Sequence, residues 1–123
     1  MKMDGEIMQA GGDTIFGQII RGEIKTDFLH EDDQCVAFDD IEPQAPVHFL
    51  VVPKKPVPRL SDAQDSDEKL MGHLMLVARA VAKQKGLSDG FRLIVNDGPE
   101  GGQEVMHIHV HVMGGRQLTW PPG

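Results

Sequence analysis

The sequence predicts an α+β domain: a mainly antiparallel sheet of about five strands with two helices. Short stretches rich in β-formers, each cut off by Asp, Gly or Pro, supply the strands. Two stripes of apolar residues at helical spacing supply the helices. The tight turns between them favour antiparallel neighbours.

Residues 1–12 read as a short flexible lead of glycines and acids, and 13–123 as a single domain including its C-terminal tail. Asp13-Thr14 followed by Ile15, Phe16, Ile19 and Ile20, with Gly22 after Arg21, has the cap, stripe and terminal glycine of a short helix. Asp27 to Glu31 is expected to be extended, and Asp32-Asp33 to turn. Cys35 to Phe38 is an apolar strand, and the prolines of Ile41 to Pro46 make a loop. His48 to Val52 is a strand stopped by Pro53. Lys54 to Pro58 is excluded from regular structure. Ser66 is the expected cap of a long helix with Asp67 and Glu68 in its first turn. Leu70, Leu74, Val77 and Val81 form its stripe, and Gly86 ends it. Phe91 to Val95 is a strand, Asn96 to Glu104 a glycine-rich loop, and Val105 to Met113 the last strand. Trp120, in a tail with no room for a core of its own, is expected to pack against a partner subunit.

The chain has 123 residues, with 12 Lys and Arg against 19 Asp and Glu, a net charge of −7. That balance argues against a grip on nucleic acid or anionic membrane. No stretch approaches the ~20 apolar residues of a membrane span, and the first residues lack a secretory core. Cys35 is the only cysteine, which fits a reducing compartment. A soluble, cytoplasmic protein is expected. Cys35 reads as core; His30, beside an acidic turn, and His73, on the long helix, read as structural or exposed.

His107, His109 and His111 alternate with Ile108, Val110 and Val112. In a strand this puts three imidazoles on one face, roughly 6.5–7 Å apart. Such a face could be merely polar and solvated. It could supply zinc ligands, with a further ligand from elsewhere. It could also carry nucleophilic catalysis on phosphate, for which the loop Asp97 to Glu104 offers a cradle: paired glycines let backbone N–H groups converge on an anion. Local dipoles then outweigh an unfavourable net charge at contact distance.

The run His107-Ile108-His109-Val110-His111-Val112-Met113 matches the pattern His-φ-His-φ-His-φ-φ and resembles the histidine-triad (HIT) superfamily, in particular its HINT (histidine-triad nucleotide-binding) branch. Asp13 to Phe16, Asp40-Ile41, Pro43 to Pro46, His48 to Lys55, Val95-Asn96, Gly101 to Gln103, Gly114 to Arg116 and Trp120 to Gly123 resemble further landmarks of the branch. The resemblance implies a homodimer whose sheet continues across the two-fold axis, with the Trp120 tail near the partner. It implies hydrolysis of purine nucleoside 5′-phosphoramidates, such as adenosine 5′-monophosphoramidate, with no metal or other cofactor. It makes His109 the nucleophile, forming a nucleotidyl-histidine that water cleaves to the nucleoside monophosphate. It gives Asp40 the ribose and Ile41 the base pocket beside it. Asn96, Gly102, Gln103, Glu104 and His111 match phosphate-contacting positions, with Val105 closing the same cradle. Phe16, Ile19, Phe38 and Leu50 match the base pocket; His48 supports the central strand, and His107 holds it in place. Glu104 stands where many animal members have Ser, and a protonated Glu104 could donate to the leaving group. Met106 stands where Tyr is common and Pro56 where some members have His. An alternative reading is a purine-nucleotide sensor or protein-interaction module whose turnover is incidental.

Overall fold

A computed structural model describes residues 13–123; the expected N-terminal lead lies outside the described residues. The elements are α1 (Ile15–Ile20), β1 (His30–Glu31), β2 (Cys35–Asp39), β3 (Val47–Pro53), α2 (Glu68–Gln84), β4 (Phe91–Ile94) and β5 (Val110–Gly114). The strands form one antiparallel five-stranded sheet in the order β1-β2-β3-β5-β4.

The centre of the sheet is β3, paired with β2 on one side and β5 on the other. Both its faces are covered, so its sequence, VHFLVVP, runs apolar rather than alternating. On one face α2 lays Leu74, Val77, Ala78, Val81 and Ala82 against Cys35, Ala37, Phe49, Val51, Val110 and Val112. On the other, α1 lays Phe16 and Ile19 against Val36, Phe38, Leu50 and Val52. Phe49, Val51, Val112 and Val81 are fully buried, each worth roughly 1.5–3 kcal/mol over an exposed position. Thr14 caps α1 by accepting from the Gly17 amide at 3.1 Å, and Gly22 leaves the helix at φ +82°.

Three expectations change. The last strand begins at Val110, not Val105. Pro53, which would have to continue the ladder, has no N–H, so the chain leaves β3; the Ile108 amide donates instead to Val57 in the proline segment at 2.7 Å. His107 and His109 therefore precede the strand, and only His111 lies in it. The long helix is not capped by Ser66. A 3₁₀ turn at Asp65–Asp67 leads into it, and the reciprocal box is Gln64 with Asp67. Of the expected stripe, Leu70 is only half-buried, and Ala78 and Ala82 take up the packing. The stretch Asp27 to Glu31, expected to be extended, joins the sheet at His30–Glu31.

Among the described residues no helix is long and apolar enough to cross a membrane. Trp120 is 81% exposed in the single chain.

Candidate active site

The β3–β5 register sets Leu50 opposite His111 and His48 opposite Met113. His48, Leu50 and His111 thus share the α1 face, away from α2. His109 reaches the same side: its ring meets Phe16 of α1 edge-on at 4.8 Å and His111 at 5.0 Å. His107 lies beneath, 6.2 Å from the Phe16 ring.

The hydrogen bonds assign every tautomer in the cluster. The Gln44 amide donates to His48 Nδ1 at 3.0 Å, so the His48 proton is on Nε2. That N–H donates to His111 Nδ1 at 2.9 Å, which puts the His111 proton on its own Nε2, free to donate outward. His109 Nδ1 donates to the His107 carbonyl at 2.8 Å, leaving its Nε2 as a bare lone pair. His107 Nε2 donates to the Pro53 carbonyl at 2.7 Å. Among the described residues His107 Nδ1 is buried without a partner, whereas His109 Nε2 is not sealed from solvent.

Burial favours the neutral form of the three triad rings, His107, His109 and His111. It is the main cause that drops His109 to about 4, the neighbouring His111 adding to it and the His107 carbonyl opposing it. His107 is lowered by burial against the pull of the Pro53 carbonyl. His111 is lowered by burial and then by His48, with Asp40 and Glu104 pulling the other way. At neutral pH the site therefore presents one uncharged nucleophilic nitrogen beside one N–H donor.

Asp40 closes one end. Its Oδ2 is 3.4 Å from His48 Nε2 and 3.9 Å from His111 Nδ1, and its Oδ1 accepts from the Glu42 amide at 2.8 Å. Asp40, His48 and His111 also form a group with the donor types and spacing to hold a metal. Beside them Phe16, Ile19, Phe38 and Leu50 are gathered in one apolar cluster, each at most 7% exposed, with Val105 at its margin. Ile41 stands apart, 95% exposed.

The glycine loop is built from within. Asn96 Nδ2 donates to the Gly101 carbonyl at 2.7 Å. Asp97 fastens the loop to the 3₁₀ turn Leu60–Asp62 through the Ser61 amide at 2.8 Å and Arg59 at 3.3 Å. Gly101 is required there, since a Cβ would come within 2.4 Å of the Asp97 carbonyl oxygen. The Gly102 and Gln103 amides donate to Pro99 and Gly98. The Gln103 side chain accepts from Gly98 and donates to Pro58 and Val105. Its side chain therefore braces the loop. Among the described residues the Glu104 and Val105 amides make no such bond. Glu104 is exposed and near enough for its charge to act on His111.

The Gln44–His48–His111 relay and the Arg59–Asp97–Ser61 clasp escape sequence reasoning. Their partners are 63 and 38 residues apart, and their donors include backbone amides that carry no residue signature. A cleft of about 510 Å³ between the α2–β4 turn and the C-terminal segment, lined by Leu87, Phe91, Arg92 and Leu118 among others, contains none of the histidines.

The HIT domain family matches residues 21–118. An uncharacterized HIT-like protein of Synechococcus elongatus is 55% identical over 111 residues, covering 90% of this chain and 97% of its own. The 14 kDa zinc-binding protein of Brassica juncea is 51% identical over 113 residues, covering 90% of this chain and all of its own. Among solved structures, a HIT family hydrolase from Legionella pneumophila superposes with a TM-score of 0.88 at 45% identity, over 90% of this chain and 100% of that one. A histidine triad protein from Clostridium difficile superposes at 0.83 with 44% identity, over 87% and 94%.

Proposed function

The chain belongs to the HIT domain family and has the fold of its hydrolases, and from that premise we propose that it is a HINT-branch hydrolase of purine nucleoside 5′-phosphoramidates acting through His109. The observation that carries the reading is the tautomer of His109: Nδ1 is committed to the His107 carbonyl at 2.8 Å, and burial keeps the ring neutral, so Nε2 is a lone pair ready to attack.

In the proposed first step, His109 Nε2 forms a bond to the α-phosphorus while the P–N bond to the amine breaks in line. The amine leaves with a proton that comes from solvent and passes through the Glu104 carboxyl when that group is protonated. The His111 Nε2–H and the Glu104 and Val105 amides hold the phosphoryl oxygens, and the His107 carbonyl steadies the imidazolium that forms. Water then cleaves the nucleotidyl-histidine, releasing nucleoside monophosphate and a proton. Asp40 accepts from the ribose hydroxyls, with Ile41 beside it. The Phe16, Ile19, Phe38 and Leu50 cluster floors the base site. His107 and His48 act as positioning residues.

No metal enters these steps. The Brassica relative carries zinc in its name, so chelation is the direct control: the rate at assay temperature is expected to survive it. The decisive experiment mixes enzyme and adenosine 5′-monophosphoramidate, quenches early, and seeks a nucleotide adduct on the 107–111 peptide by mass spectrometry. Tight nucleotide binding with no adduct and no turnover would favour a nucleotide sensor or interaction module instead.

The homodimer belongs to the same proposal. Among the described residues the β4 edge is unpaired; Phe91 on it is 40% exposed, and Trp120 is 81% exposed. Light scattering tests it. A cytoplasmic location and the 1–12/13–123 division stand as proposals too.

A further inference from the structure

Two histidines and the cysteine, all apart from the triad cluster, meet at one carboxylate, Asp32. His30 of β1 and His73 of α2 both place Nε2 2.7 Å from the same atom, Asp32 Oδ2. Cys35 Sγ, fully buried at the start of β2, lies 3.8 Å from that oxygen. Ligand atoms of His30, Asp32 and Cys35 all fall within 4.8 Å of one another. The other carboxylate oxygen is already held, accepting from the Gln34 and Cys35 amides at 2.8 and 2.9 Å. Asp32 is thereby locked with Oδ2 facing the two imidazoles and the thiol.

We propose that His30, Asp32, Cys35 and His73 form a zinc site that ties the β1–β2 hairpin to α2. The donor set suits a borderline-soft cation: two imidazoles, a carboxylate and a thiolate. With Asp32 and Cys35 anionic and both histidines neutral, a divalent ion is fully neutralised, which a half-buried site demands. Tetrahedral zinc with ordinary bond lengths sets its donors about 3.3–3.6 Å apart. The Asp32–Cys35 separation is near that already. His30 has to retreat by roughly 0.6 Å from its present hydrogen bond; His73, which touches Asp32 but stands outside the 4.8 Å group, has to swing toward the other donors, and both side chains are about 30% exposed and have room to move. On binding, each histidine shifts its proton from Nε2 to Nδ1, and the thiol proton leaves to solvent. The site lies on the α2 face, since His30 pairs with Ala37 of that core. The triad occupies the opposite face, so the metal is structural and takes no part in turnover.

The test is a titration of the chelator-stripped full chain with Co(II), followed by competition with Zn(II). One equivalent of cobalt is expected to give the intense visible bands of a tetrahedral site and a near-ultraviolet thiolate-to-cobalt band. Cys35→Ser removes the near-ultraviolet band. His30→Ala and His73→Ala each weaken zinc by at least about tenfold. His48→Ala, which breaks the Asp40–His48–His111 group, leaves the binding intact. Zinc raises Tm in the wild type and not in His73→Ala. The wild-type spectrum decides the matter even if a variant fails to fold. No stoichiometric binding, or one equivalent bound without the thiolate band, overturns the proposal. Binding that survives His30→Ala and His73→Ala but disappears in His48→Ala also overturns it.

Discussion

Replacing His109 with Asn removes one titrating ring and reports directly on whether that ring is neutral in the folded protein. Burial lowers His109 from its ordinary 6.5 to about 4. Below pH 6.5 the unfolded chain takes up a proton on this residue that the folded chain refuses until about pH 4. The stability it contributes is therefore complete above 6.5 and is lost as the pH falls through that window. At about 1.4 kcal/mol per pH unit, the gap between 6.5 and about 4 is worth about 3.5 kcal/mol when fully developed. Urea denaturation at pH 7, 5.5 and 4.5 should show the wild type losing stability more steeply than His109→Asn. The difference should approach 3 kcal/mol at the acid end. His107 and His111 are lowered in both proteins and largely cancel in the comparison. The same ring sets the acid limb of kcat/KM. At pH 5 about 0.9 of His109 is neutral with a value about 4, against about 0.03 at 6.5. Two stability curves parallel to within about 0.5 kcal/mol, or an acid limb centred near 6.5, would refute a buried, neutral nucleophile.

His48→Ala breaks the Gln44–His48–His111 relay and frees the His111 ring; kcat should fall on the order of 10²-fold with a smaller change in KM, measured on adenosine 5′-monophosphoramidate. Asp40→Ala should weaken adenosine monophosphate binding by roughly 1.5–3 kcal/mol while leaving 2′,3′-dideoxyadenosine monophosphate nearly unaffected, as read by calorimetry. Gly101→Ala drives a Cβ within 2.4 Å of the Asp97 carbonyl; a loss of about 1–3 kcal/mol in urea is expected, with the loop displaced and turnover reduced.

The fold was largely legible because hydrophobic burial leaves local traces. The stripe Leu74, Val77, Val81 and the bounded runs Cys35 to Phe38 and His48 to Val52 all record which side faces a core. What failed was local punctuation that depends on distant partners. Val105 to Ile108 carries a strand-like sequence, yet the ladder ends because Pro53, 55 residues before Ile108, cannot donate. Ser66 looks like a cap, but Gln64 and Asp67 reach the amides. In the site, the triad announces itself as three alternating histidines. Which nitrogen of each carries the proton depends on a Gln44 amide and on the carbonyls of His107 and Pro53, and peptide groups are the same in every sequence. His30 and His73 are structural, as their sequence positions suggest, but the partner they share is not legible for a related reason. They are 43 residues apart, and only the packing of α2 onto the sheet makes Asp32 their common partner.

The interrupted strand has a chemical consequence. A regular β5 running from Val105 would spend the amides and carbonyls of Met106 and Ile108 on ladder bonds with β3 and turn those of 105, 107 and 109 toward the β4 side. By leaving the ladder at Val110, the chain keeps the His107 carbonyl for His109 Nδ1 and leaves the Glu104 and Val105 amides without a bond among the described residues. Pro53 enforces that departure and lends its own carbonyl to His107. Substituting Pro53 with Val would restore a donor and let β3 and the 107–109 segment zip further. The expected outcome is a protein as stable as the wild type or more so, with kcat lowered because the His107 carbonyl is diverted from His109. Urea denaturation and steady-state rates measured together separate this from simple destabilisation. An active Pro53→Val enzyme with a longer strand in its crystal structure would mean that the His107 carbonyl is not what holds the nucleophile's tautomer.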